Sequence, residues 1–75
     1  MKKLEIESEI GGKIFRLEKA VGSKVSKEDP ILIIESMKME IEVFAPEDGI
    51  IKDILVSKDQ MIEEGQKLVI LEIDE

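Results

Sequence analysis

Cysteine and histidine are both missing from these 75 residues. Without thiols the chain forms neither a disulfide framework nor a thiolate metal site, and a small core must hold together by packing alone. With histidine also gone, the usual nucleophile–base pairs and the commonest zinc ligands are unavailable, which argues against a catalytic role. Tryptophan and tyrosine are absent too, and the two aromatics, Phe15 and Phe44, are too few to build a stacking platform for bases. Basic residues are outnumbered 11 to 18, for a net charge of -7. Nucleic acid and anionic membrane surfaces reward clustered lysine and arginine, so neither is expected as a partner. No apolar run approaches the roughly 20 residues that span a bilayer, and Met1-Lys2-Lys3-Leu4-Glu5 returns to charge at once. The expectation is a cytoplasmic protein without membrane insertion, and the length leaves room for a single thin-cored domain over residues 1–75.

What is present is short-period apolar patterning. Leu4 and Ile6, then Met39, Ile41 and Val43, alternate with charged residues, as in half-buried strands. Ile31-Leu32-Ile33-Ile34 and Leu68-Val69-Ile70-Leu71 are continuous apolar runs, short and rich in β-branched residues, as in strands buried on both faces. Turn signals separate the runs at Gly11-Gly12, Gly22-Ser23, Asp29-Pro30, Ala45-Pro46-Glu47-Asp48-Gly49 and Glu64-Gly65. No sustained helical stripe occurs, so the fold is expected to be all-β.

Sliding the chain against itself by 37 residues reveals an ungapped internal repeat. Gly12 falls on Gly49, Leu4 on Ile41, Ile6 on Val43, Ile14 on Ile51, Leu17 on Ile54 and Val25 on Ile62. The two apolar runs superpose, followed by Glu35 on Glu72. Two halves of like strand order, each too small to bury its own face, stabilise one another as two packed sheets about a pseudo-twofold axis. The repeat therefore predicts a flattened β-barrel or sandwich. It also places Lys38 at the join between the halves, in a tight reversal between a strand over Ile31 to Glu35 and another starting near Met39.

That reversal carries the wrong residues for its geometry. A two-residue hairpin turn needs positive φ and favours Asn-Gly or Asp-Gly, whereas this chain offers Met37-Lys38. A local conflict of this kind marks function over packing. Its physical outcome is a lysine amine held out on a rigid protrusion, with flexible, polarizable thioethers on both sides. Strict alternation would place Met37 and Met39 on one face and Lys38 on the other. The adjacent carboxylates Glu63-Glu64, and the pair Glu40 and Glu42, read as solvated faces, and the spacing of a calcium loop is absent.

Glu35-Ser36-Met37-Lys38-Met39-Glu40 resembles the attachment motif of the biotinyl domain family, whose usual form is Glu-Ala-Met-Lys-Met. The resemblance extends from about Leu4 to Ile73 and includes the Ala45-Pro46-x-x-Gly49 turn after the motif. It implies two four-stranded antiparallel sheets, with the modified lysine on the hairpin between the fourth and fifth strands. It further implies that Lys38 carries biotin, with Met37 and Met39 as flanking recognition residues and Glu35 and Ser36 completing the motif. A biotin protein ligase would form the amide from biotinyl-adenylate, supplying both the base and the activated acyl group. The tethered ring would then carry carboxyl groups between a biotin carboxylase and a carboxyltransferase or decarboxylase, with acetyl-CoA carboxylase among the enzymes served. The carrier itself would be non-catalytic.

Ser36 stands in place of the usual alanine, Ser8-Glu9 in place of Ala45-Pro46, and Glu28 in place of Gly65. If the turn at Glu28 requires positive φ, the residue is strained by about 1–3 kcal/mol, unless Asp29-Pro30 shifts the turn. The connection from Glu18 to Lys24 is too short for the protruding loop that some bacterial members insert. Two rival readings share the fold. A lipoyl carrier also has a glutamate three residues before its lysine, but typically reads Asp-Lys-Ala where this chain has Met37-Lys38-Met39. An unmodified interaction module is the other.

Overall fold

The computed structural model describes residues 2–73. Eight strands follow one another as β1 (Lys2–Glu7), β2 (Gly12–Leu17), β3 (Lys24–Val25), β4 (Pro30–Ser36), β5 (Met39–Phe44), β6 (Gly49–Ile54), β7 (Met61–Ile62) and β8 (Lys67–Ile73). They form two four-stranded antiparallel sheets, ordered β1-β8-β6-β3 and β5-β4-β2-β7. Each sheet takes two strands from each half of the chain. Adding 37 to the residue numbers of the first half converts one sheet order into the other, so the repeat is a pseudo-twofold rotation.

The correspondence holds bond by bond. The Glu28 amide donates to the Ala45 carbonyl at 2.7 Å, and the Gly65 amide to the Ser8 carbonyl at 2.7 Å. Gly22 N–H reaches Ile51 O at 2.7 Å, and Asp59 N–H reaches Ile14 O at 2.8 Å. The register shift in β2 between Ile14 and Arg16 recurs in β6 between Ile51 and Asp53. Left-handed backbone recurs as well: φ is 73° at Glu28 and 87° at Gly65, 91° at Gly22 and 71° at Asp59. The turn at Glu28 is therefore kept in place despite its residue, and Asp29 does not displace it. Its carboxylate instead accepts the Ser26 amide at 2.8 Å, as the Gln66 side chain does from Glu63 at 3.1 Å.

The core is aliphatic. Ile14, Leu32, Ile34, Ile51, Leu68, Val69 and Leu71 are fully buried between the sheets. The strands β4 and β8 lie inside their sheets, which explains their continuous apolar runs. Even outward positions of an inner strand are shielded by the stems of long neighbours. Ile33, flanked by Arg16 and Glu42, is buried, while its repeat counterpart Ile70, flanked by Asp53 and Glu5, is only half-buried. Aspartate is shorter than arginine and covers less. Ser8, which stands where the other half has buried Ala45, is the buried polar residue among those described. Its hydroxyl donates to the Ile10 carbonyl and accepts the Ile10 amide, so the substitution leaves no orphaned group.

Gly49 corrects one expectation. It opens β6 and does not sit in the turn, and its φ is not positive. Glycine is required there because a Cβ would collide with the Glu72 carbonyl and meet the Ile73 and Leu71 side chains at 3.0 and 3.1 Å. Gly12, its counterpart, sits against the Glu35 carbonyl in the same way, with a Cβ contact of 2.5 Å. Gly49→Val is expected to lower stability in urea unfolding by at least about 1–3 kcal/mol, the cost of overpacking a tight contact. An unchanged midpoint contradicts this account of the β6–β8 approach.

Candidate functional site

The hairpin between β4 and β5 is built from the core outward. Buried Ile31 to Ile34 anchor β4, and the register Ile34–Ile41, Glu35–Glu40 and Ser36–Met39 carries the ladder to the last possible pair. Met37 and Lys38 alone remain to reverse the chain. Both adopt left-handed backbone, with φ of 52° and 66°, as the tight two-residue turn matched to strand twist requires. For residues bearing a Cβ this conformation costs roughly 1–2 kcal/mol each. It persists because the strands on either side over-determine it.

The side chains behave as the conflict predicts. Met37 is 93% exposed and Met39 60% exposed, so neither is a core methionine. Lys38 is exposed, and its amine makes no hydrogen bond or ion pair among the described residues. Simple alternation of faces does not run through the site, because Met37 and Lys38 are the turn itself and Met39 is the first residue of β5. Glu35 and Ser36 are half-buried at the end of β4. Glu35 lies between Glu40 on one side and Lys13 on the other. Directly opposed like charges repel, and the lysine in the adjoining strand offsets that repulsion. Lys13 also approaches Asp59, at 3.9 Å.

Two supporting residues were not evident as part of the site from sequence. Gly12 permits β2 to run close against Glu35, and Lys13 supplies the neighbouring charge. The one hint was the coincidence of Gly12 with Gly49 under the repeat. Among the described residues no group of acidic side chains is arranged to hold a metal ion. What the site offers chemically is one accessible primary amine, without a partner among the described residues, on a tight turn between two thioethers.

A family model described as "Biotin-requiring enzyme" matches residues 4–71, and the chain belongs to this biotin/lipoyl attachment family. It is 54% identical over 50 residues to the biotin carboxyl carrier protein of acetyl-CoA carboxylase from Streptococcus pyogenes, an alignment covering 67% of this chain and 30% of that protein. The chain thus spans less than a third of that relative's length. Among solved structures, the urea carboxylase of Kluyveromyces lactis superposes with a TM-score of 0.89 at 31% identity, over 95% of this chain and 6% of that one. The lipoyl domain of the 2-oxoglutarate dehydrogenase complex from Azotobacter vinelandii superposes with a TM-score of 0.80 at 25% identity, over 93% and 96% of the two chains.

Replacing Met37-Lys38 by Asn-Gly is expected to raise stability by about 1–2 kcal/mol by removing left-handed strain, less the backbone entropy of glycine. The urea midpoint reads this directly. An unchanged or lower midpoint means that the turn is not strained as described.

Proposed function

We propose that Lys38 is the covalent attachment point for biotin and that the domain is a non-catalytic carboxyl carrier. The observation that carries this reading is the exposed amine of Lys38, without a partner among the described residues, on a strained turn between Met37 and Met39. A covalent tether needs an accessible amine and a frame that does not fold over it, and the hairpin supplies both. Membership of the biotin-requiring family and the similarity to a carrier protein of acetyl-CoA carboxylase support it further.

Within this reading a biotin protein ligase presents an activated acyl group to Lys38 Nζ. The nitrogen loses its proton to the ligase, the amide forms and the activating group leaves. Bound biotin supplies a ureido nitrogen that takes up and releases a carboxyl group. The chain's own residues position it: the β4–β5 ladder holds the loop rigid, Met37 and Met39 give the ligase an adaptable apolar surface, and Glu35 and Ser36 complete the motif it reads. The partners proposed are a biotin carboxylase and a carboxyltransferase or decarboxylase.

The resemblance to a lipoyl domain favours lipoate on the same lysine as the second reading. Co-expression with a biotin protein ligase is expected to add one biotin by intact mass, and Lys38→Ala to abolish it. Changing Met37→Asp together with Met39→Ala is expected to cut biotinylation at least tenfold and to open the domain to a lipoate ligase. Efficient biotinylation of that double variant assigns recognition to surfaces beyond the flanks, and lipoylation of the unaltered chain in preference to biotinylation overturns the first reading.

A further inference from the structure

The pseudo-twofold arrangement leaves the strands β1 and β5 unjoined. Each is the outer strand of its own sheet, and between them runs an open groove of about 570 Å³ that straddles the axis. Leu4 and Ile6 line it from β1, Ile41 and Val43 from β5, with Ile34 and Phe44 completing the apolar surface. Phe44 is half-exposed. A volume of this size falls within the roughly 300–1,000 Å³ usual for binding clefts.

The rim is acidic. Glu5, Glu7, Glu9 and Glu42 all border the groove. Glu5 is engaged by Lys67 at 3.0 Å, but Glu7, Glu9 and Glu42 meet no cation among the described residues. Glutamates on an outer strand discourage pairing with a second copy, because two such strands would set carboxylate against carboxylate. The same charges attract a basic strand. An extended segment laid along β5 would satisfy the outward backbone groups, place alternate side chains in the groove and direct the others towards the glutamates, the usual mode of strand addition.

We propose that the groove between β1 and β5 receives an extended segment of a partner polypeptide in which apolar residues alternate with lysine or arginine. The site is distinct from the Lys38 turn, and the proposal does not rest on the identity of the attached group. Binding there would dock the carrier while leaving the hairpin free.

The test is titration of the isotope-labelled chain with an acetylated octapeptide of alternating valine and lysine near physiological salt, followed by amide NMR shifts. The expected result is shifts confined to Leu4–Ile10, Ile34 and Ile41–Ala45, the residues of the groove and its rim that carry an amide hydrogen, with the Met37 and Lys38 amides unmoved. A peptide of the same composition with four valines followed by four lysines is expected to bind at least tenfold more weakly. The double substitution Glu9→Lys with Glu42→Lys, at exposed positions and checked for a native-like spectrum, is expected to weaken binding of the alternating peptide at least tenfold. The proposal is overturned by no binding, by shifts spread over the acidic surface, by equal affinity for the two peptides, or by an unaffected double variant. Concentration-dependent shifts in the groove without peptide would assign it to a second copy and overturn the proposal as well.

Discussion

Neither half of this chain can bury its own apolar face, and everything else follows from how the halves resolve that. β1 and β3 join the sheet of β6 and β8, while β5 and β7 join the sheet of β4 and β2. No sheet can form without strands from the other half, and burying even one isoleucine contributes only about 1.5–3 kcal/mol. A thin core without disulfides must therefore be completed by both halves together. Gly12 and Gly49 are the points where this interlocking is tightest, each letting a strand run against the carbonyl that ends its neighbour's apolar run, Glu35 and Glu72.

The rotation that relates the halves exchanges the Ser36–Met39 pair with Ile73–Lys2. Only at the first of these does the chain have to reverse in two residues. The reversal falls where the ladder is already fixed by Ile34–Ile41 and Glu35–Glu40, so the frame imposes left-handed backbone on residues that resist it. Stability is given up locally so that a methionine and a lysine can occupy a place where Asn-Gly would fold better. The charge of the chain, -7 overall, leaves the amine at the tip in contrast with the surface behind it.

Much of this could be read from residues alone because the repeat has no gap. A shift of 37 aligns strand with strand, turn with turn and even bulge with bulge, and it places the Lys38 reversal at the join of the halves from the residues alone. What the residues could not show were properties of strand neighbours. Gly49 looked like a turn glycine because it follows Ala45-Pro46, but the reason for it is a carbonyl in β8, distant in sequence. The alternation of Met37, Lys38 and Met39 dissolved because a turn does not continue the pleat. Ile33 and Ile70 look alike in sequence and differ in burial because one has Arg16 beside it and the other Asp53. The groove between β1 and β5 depends on two strands that never pair, which no pattern along the chain records.

The central claim is that the fold singles out one of ten lysines by holding it on a strained, exposed turn. Site localisation by tandem mass spectrometry after reaction with a biotin protein ligase tests it most directly. The account predicts biotin on Lys38 and on no other lysine. Modification spread over several lysines, or placed at one outside the β4–β5 turn, would contradict it.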